Sequence, residues 1–464
     1  MRIKRKKTSL RRRASARRSL ERMAILALLA VAWSWIMLTF GMAFYHGYYR
    51  KPSGNSATST PTVVVPGGSI SLVNPQHAAT TATAEPASMM ASVDSSQLTS
   101  SVQPHESPLV IFTCNRAEYL QQTLADILRY IPADCSIGCP IVISQDGKNA
   151  EVLQVITDYQ TKFAAKGIPV VRIEHKSALR GGTNAYQALA VHYGWALGHI
   201  FNGSATRPAT ASSSYDSVLP QRVVILEEDL HVAPDFFTFF AAMAPVLDRD
   251  RSLFAVSAFN DNGFRSRIKD NTRILRSDFF PGLGWMMTRK LWTTELQAKW
   301  PGGYWDDWLR DPEQRKGRHV LRPEVSRSFH FGTHGGASMN QFGSQLTAVM
   351  LNPYPVEWQE DFSHLLPDEY DRKYWAMLQH ARRVESMDEV PERVMEGDVR
   401  LEYTSFGQFQ ILAKKLQLMA DEKAGIPRTA YKGVVETRPF GENLLFLTPP
   451  LKDLQKEFVT GEIA

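Results

Sequence analysis

The sequence predicts an α/β protein: a mostly parallel sheet covered by helices, followed by a smaller C-terminal α+β domain and preceded by one transmembrane helix. Three observations predict it. Strand-like and helix-like segments alternate from residue 108 to residue 259. Four branched apolar residues, Val223 to Leu226, run into three carboxylates, Glu227, Glu228 and Asp229. Met23 to Tyr45 carries no charged residue.

The amino-terminal segments come first. Residues 1–22 hold eleven Lys or Arg against the single acid Glu21, so they carry more than the whole chain's net charge of +6. The rest is net acidic, and the basic balance is no sign of nucleic-acid binding by the folded part. As a helix, residues 23–45 would be roughly 34 Å long, enough to cross a bilayer. Phe44, Tyr45, Tyr48 and Tyr49 stand where an interfacial aromatic belt would. The basic block precedes the span, so the positive-inside rule puts residues 1–22 in the cytosol and the long remainder in a lumen. A cleaved signal peptide fits less well, because its apolar core is shorter and ends at a small-residue cleavage site. Residues 46–106 are rich in Ser, Thr, Ala and Pro, bury too little apolar surface to offset chain entropy, and read as a flexible stem. A basic tail, signal anchor, stem and lumenal domain make up the layout of a single-pass type II Golgi membrane protein.

The folded part starts at 107. Pro108 to Asn115 reads as a strand, and Arg116 to Tyr130 as a helix with Leu120, Leu124, Ile127 and Leu128 on one face. Pro140 to Asp146 is a second strand ending in an acid, followed by a helix over 151–163. Pro169 to Glu174 is a third strand. Thr183 or Asn184 caps a long apolar helix that runs to Phe201. The sequon Asn202-Gly-Ser204 is expected at a surface. After a polar insertion over 205–218 comes the Val223–Asp229 run, a helix from Pro234, and a strand over 254–259. These alternations argue residues 107–344 as one catalytic domain and 345–464 as a smaller C-terminal domain. No Gly-x-Gly-x-x-Gly and no Walker sequence is present, so any nucleotide is held by other means.

The short apolar run before the acids reads as a strand buried on both faces. Its carboxylates fall at the carboxyl end, where open α/β sheets bind ligands. Three adjacent acids need a counter-charge. A divalent cation holding a diphosphate would supply one; a solvated acidic loop is the other reading. Tyr304-Trp-Asp-Asp-Trp308 sets two carboxylates, Asp306 and Asp307, among aromatics, which raise a carboxylate's basicity. Spacing does not separate the two acids. Arg315, Lys316, Arg318, Arg322 and Arg327 form a basic run readable as a solvated face. Thr333 to Asn340 is Gly-rich and suits a lid.

Several stretches together resemble one family: Leu226 to Phe237, Phe259-Asn-Asp-Asn-Gly263, Asp278-Phe-Phe-Pro-Gly-Leu-Gly-Trp285, Lys299-Trp-Pro301, Tyr304 to Arg310, Pro312 to Arg318 and Arg322 to Arg327. From about residue 107 to about 355 the chain resembles the lumenal N-acetylglucosaminyltransferase I family. That resemblance implies a GT-A fold, a UDP-GlcNAc donor, a Mn2+ ion, inversion at the anomeric carbon, and the mannose of a high-mannose N-glycan on glycoproteins as acceptor. It implies Asp229 at the metal and Glu228 at the donor's ribose and uridine side. Arg116 and Asp146 would hold the uridine, and His192 and Ser338 would contact the donor. Asp306 would be the catalytic base, with Asp307 as the alternative. His199 stays a structural residue. The family's cysteine pattern is not kept: Gly147 follows Asp146, and Phe254 and Val320 stand at a second pair. Cys114 with either Cys135 or Cys139 stays open.

Two further readings stand beside this one. Glu227-Glu-Asp229 and Ser326-Arg-Ser-Phe-His-Phe331 look like the protein O-mannose branch of the family. An inactive Golgi lectin or scaffold is the non-enzymatic reading, and the presence of Asp229 and Asp306 speaks against it.

Overall fold

The computed structural model describes residues 106–459, apart from 177–183, 206–218, 335–341, 359–360 and 391–394. The tail, the anchor and the stem expected from the sequence lie outside the described residues, as does Ser338. Among the described residues no helix is long and apolar enough to cross a membrane.

An eight-stranded sheet in the order β3-β2-β1-β4-β8-β6-β9-β7 forms the centre. Its strands are β1 (Pro108–Thr113), β2 (Gly138–Asp146), β3 (Val170–His175), β4 (Arg222–Glu227), β6 (Leu253–Ser257), β7 (Ile274–Ser277), β8 (Trp285–Thr288) and β9 (His319–Pro323); the short β5 is Leu230–Val232. The half built from β3, β2, β1 and β4 is parallel throughout. β8 runs antiparallel between β4 and β6, so the sheet is mixed. That insertion is the main departure from the sequence reading, which saw Asp278–Trp285 as a motif and not as the approach to a strand.

The helices agree closely with the periodicity: α1 Ala117–Tyr130, α2 Ala150–Ala164, α3 Ala185–Phe201 and α4 Phe236–Arg249. Asn184 caps α3, accepting from the Gln187 amide while the Gln187 side chain reaches back to the Asn184 amide. This reciprocal pair satisfies two amides that a helix start leaves bare. Asn202, of the sequon, is exposed. The carboxylates do not lead straight into a helix. Leu230 and Val232 are buried with His231 half-buried between them, the alternation of a strand. They pair antiparallel with β10 (Ser328–His330) before α4 begins.

The C-terminal residues add a four-stranded sheet, β11-β12-β16-β15, from β11 (Arg382–Val384), β12 (Val399–Glu402), β15 (Val435–Thr437) and β16 (Leu445–Thr448), and a two-residue hairpin, β13 (Glu422–Lys423) with β14 (Ile426–Pro427). One continuous apolar core joins Leu109, Ile111 and Leu226 of the large sheet to Tyr431, Phe446 and Phe458.

The cysteines pair as Cys135–Cys139, with Cα atoms 5.8 Å apart, and Cys114 is free. The pairing that the sequence leaves open is thereby settled without Cys114. Gly138 sits opposite Pro108 at the start of β1, while Cys114 follows its end. Six strand residues separate the two places, on the order of 20 Å. The basic run is not a solvated face either: Arg322 and Arg327 are 2% and 0% exposed. Arg327 is bonded to Asp235 through Nε and Nη2, and Lys316 and Arg318 meet Glu295.

Candidate active site

Four strand ends line the carboxyl edge of the parallel half. Phe112 of β1 lies opposite Glu227 of β4, and Asp146 of β2 lies opposite His175 of β3. The acids of the central run therefore stand beside the residues that follow β1. Arg116, just before α1, is the counter-charge they need. Its Nε lies 2.7 Å from Glu228 Oε1 and its Nη1 lies 2.8 Å from Asp229 Oδ2. Glu228 also accepts from the Thr113 hydroxyl and, at 3.1 Å, from the Cys114 amide. Burial alone would raise its pKa, and this set of donors offsets part of that rise.

His330 of β10 completes the group. Its Nε2 stands 3.4 Å from Asp229 Oδ2. Burial pushes the Asp229 carboxyl up, but His330 and Arg116 outweigh it and hold the group below the usual carboxylate range. Asp229 Oδ1 and His330 Nδ1 are both buried without a hydrogen-bond partner. A buried carboxylate oxygen left bare calls for a ligand. Cis ligands of one octahedral ion with bonds of about 2.1 Å lie roughly 3 Å apart, close to the observed separation. Asp229 with its bare Oδ1 is the candidate place for a divalent cation, with His330 beside it; among the described residues no group of three or more His, Cys, Asp or Glu is placed to hold one, and Oδ2, the oxygen facing His330, already meets Arg116. Gly332 closes this corner: a Cβ there would come within 2.9 Å of Asp229 Cγ and closer still to Oδ2. Glu227, the third acid, accepts from Tyr193 at 2.8 Å, and burial with the Asp229 charge pushes it up to about 7.

A second cluster lies one strand away. Asp146 Oδ1 and His175 Nδ1 are 2.7 Å apart. His175 stacks on His192 at 5.3 Å, and His192 Nε2 is 2.8 Å from the Ser144 hydroxyl. Burial, helped by His175, drives His192 down to about 3, so its ring is neutral and exchanges hydrogen bonds without charge. His199, by contrast, bonds the Trp195 carbonyl of its own helix. Cys114 sits between the two clusters. Burial, with Asp146 and Glu228 adding, pushes its thiol up to about 11.

The third group is on a short helix, α5 (Trp305–Arg310). Arg310 Nη1 bonds Asp306 Oδ2 at 3.0 Å and Asp307 Oδ1 at 2.8 Å. Asp307 Oδ2 also meets Lys423 of β13 at 3.1 Å. Burial would raise Asp307, but Lys423 and Arg310 hold it low. Trp305 is buried and stacked on Tyr193 at 4.4 Å. The Tyr193 hydroxyl ties the groups together. Burial first, then Glu227, Asp229 and Asp306, drive its pKa well above normal. Geometry agrees: its hydroxyl donates to Glu227 at the end of β4, and its ring lies against Trp305, the residue before Asp306.

Of the residues singled out in the sequence, Arg116, Glu228 and Asp229 are in direct contact. Asp146 and His192 meet through His175, and Asp306 lies on the opposite wall. Ser338 lies outside the described residues, although Thr333 and His334 just before it touch Tyr119. Sequence reasoning missed His330, His175 and Lys423. His330 carried one available signal, a polar residue on a strand ending near the acids. Lys423 carried none, because it is 116 residues from its partner. Two surface cavities are lined by residues around Arg222 and Ser363, away from these groups.

Residues 76–458 match the model of the GNT-I family. The chain is 38% identical over 360 residues, 76% of each protein, to alpha-1,3-mannosyl-glycoprotein 2-beta-N-acetylglucosaminyltransferase of Arabidopsis thaliana. Likeness to solved structures is loose. A mannosyltransferase from Pyrobaculum calidifontis, solved with GDP-Man and Mn2+, gives a TM-score of 0.30 at 16% identity, covering 48% of this chain and 59% of its own. GalNAc-T7, solved with UDP, GalNAc and Mn2+, gives 0.30 at 15%, covering 59% and 48%. Scores this low place no residue, whereas the family match spans most of the sequence. The chain belongs to the GNT-I family and is a glycosyltransferase.

Proposed function

We propose that the chain transfers GlcNAc from UDP-GlcNAc, with inversion, in β-1,2 linkage to the α-1,3-linked mannose of a Man5 N-glycan. The observation that carries this reading is the placement of Tyr193, whose hydroxyl donates to Glu227, two residues before the candidate metal-binding carboxylate, and whose ring stacks on Trp305, next to the candidate base. Family membership and the name of the Arabidopsis relative supply the sugar and the linkage.

Asp306 is the proposed base. Among the described residues only Arg310 bonds it, through Oδ2, whereas both oxygens of Asp307 are taken by cations. Asp306 accepts the proton of the attacking mannose hydroxyl, and that oxygen reaches the anomeric carbon from the face opposite UDP. Asp229 and His330 would hold Mn2+, which neutralises the diphosphate as it leaves. Asp146, His175 and neutral His192 form a buried polar cluster whose hydrogen-bonding groups would suit the uridine. Arg116 and Glu228 stand between that cluster and Asp229, in reach of the ribose and diphosphate. Ser338 belongs to the same proposal as a donor contact. A GT-A assignment agrees with the mixed α/β sheet. Golgi location and single-pass type II topology rest on residues 1–45 alone.

The test is transfer by the full chain in detergent, with UDP-GlcNAc and Mn2+, to Man5 N-glycan and to an O-mannosyl peptide side by side. Transfer to Man5 that chelator abolishes is the expected result. Transfer to the peptide alone would move the chain to the O-mannose branch. Donor binding without transfer to either would leave the lectin reading.

A further inference from the structure

Tyr304 precedes the helix that carries Asp306 and is one of eight described non-glycine residues with positive φ. It adopts φ 48° and ψ 46°, the left-handed region. Non-glycine residues avoid this region because Cβ crowds the following carbonyl. Gly302 and Gly303 stand immediately before it and would take such angles at no cost. Neither is among the residues with positive φ. The strained position is thus held by a large aromatic with two glycines alongside. Strain of this kind clusters at functional sites.

The ring is not absorbed into the core. Trp305, the next residue, is buried, while Tyr304 is 51% exposed. Tyr304 stacks on Tyr186 of α3, with ring centroids 4.7 Å apart and planes inclined by 23°. The pair is anchored. Tyr186 is flanked by the capping pair Asn184 and Gln187, and a Cβ on Gly303 would lie 3.2 Å from Gln187 Cγ. Tyr186 also lies in the field of both Asp306 and Asp307. An open, rigid aromatic surface therefore borders the proposed base.

Position and chemistry name the occupant. The proposed acceptor is a neutral oligosaccharide, so ion pairs give it little. It offers the apolar C–H face of each hexose ring, with hydroxyls at the rim. Tyrosine offers a flat apolar face and a polar tip. Tyr304 is the N-cap of the helix whose first turn carries Asp306, so ring and proposed base leave the chain within one helical turn of each other. The geometry points to Tyr304, backed by Tyr186, as the platform on which a mannose ring of the acceptor stacks. This inference rests on the mannose-acceptor reading given above and adds the subsite that holds the acceptor.

Tyr304→Gly tests it without threatening the fold, because glycine relieves the backbone strain at that position. The full chain is assayed with UDP-GlcNAc, Mn2+ and Man5 N-glycan, beside Tyr304→Phe. In Tyr304→Gly the KM for Man5 rises about three- to tenfold, the size of one lost stacking contact, while kcat is kept, as expected for binding shared by ground and transition states. UDP-GlcNAc affinity by calorimetry and the melting temperature do not fall. Tyr304→Phe keeps the wild-type KM. An unchanged Man5 KM in Tyr304→Gly, with wild-type transfer intact, overturns the platform and leaves the functional reading standing. An equal loss of donor affinity, or a lower melting temperature, also overturns it, because the ring would then act through the fold. If the wild-type chain transfers to no mannose acceptor, both the reading and the platform fall.

Discussion

Asp307 gives both of its carboxylate oxygens to cations, Arg310 and Lys423, whereas its neighbour Asp306 meets Arg310 through one oxygen only. Adjacent acids in one helical turn are thus divided into a tethered one and one with an oxygen to spare. Asp306→Asn is expected to lower kcat about a thousandfold, within the range of lost general-base catalysis, with UDP affinity unchanged. Asp307→Asn is expected to cost less than tenfold in kcat and to lower the melting temperature. Equal kinetic losses from both would remove the assignment of Asp306.

His330 stands at Asp229 with its far nitrogen buried and unpartnered. His330→Ala is expected to weaken Mn2+ binding at least tenfold, comparable to losing a supporting contact at other metal sites. Electron paramagnetic resonance titration of Mn2+ in the presence of UDP reads this without any turnover. Unaltered Mn2+ affinity would make His330 a structural neighbour only.

Gly332 leaves no room for a side chain beside Asp229. Gly332→Ala is expected to displace the carboxylate, so it should weaken Mn2+ in the same titration while Asp306 is untouched. A Gly332→Ala protein with wild-type Mn2+ affinity would show that this corner relaxes freely.

The neutral His192 gives a pH test. Its folded pKa, about 3, lies below the usual histidine value of 6.5. The stability it contributes is full above about pH 6.5 and is lost as pH falls, because the unfolded chain then takes up the proton first. From neutrality to pH 5 that loss is about 2 kcal/mol. His192→Gln should show a shallower decline in melting temperature over that window. Parallel curves for the two proteins would mean that His192 is not held neutral.

Cys114 should be a slow thiol. A pKa near 11 leaves about a hundredfold less thiolate at neutral pH than the unperturbed group. Iodoacetamide should label it readily only after denaturation, and peptide mapping should find Cys135 linked to Cys139. A Cys114 cross-link in the map would contradict the pairing.

The parallel half of the sheet was legible because each strand is a short apolar run and each helix an amphipathic one. Leu109 to Thr113, Ile141 to Asp146 and Val223 to Glu227 announce themselves, and Asn184 marks a helix start by its own chemistry. Trp285–Thr288 did not, because its antiparallel place between β4 and β6 depends on partners that periodicity does not encode. In the site, acids next to one another in sequence were visible, but their division of labour was not. The contacts that separate them come from Arg116, His330 and Lys423, each brought in by the fold from far along the chain. The buried fate of Arg322 and Arg327 was hidden for the same reason: charge predicts exposure until a partner such as Asp235 is supplied.

One apolar core runs from Leu109 to Phe458, beside a separate core inside the C-terminal sheet, and it has a genetic consequence. Together with Lys423 at Asp307, it makes the last hundred residues part of the catalytic unit. A nonsense allele ending near codon 345 would therefore strip one wall from that shared core as well as removing the smaller sheet. It is expected to be a null, recessive through loss of folding, and indistinguishable in phenotype from a stop placed at codon 110.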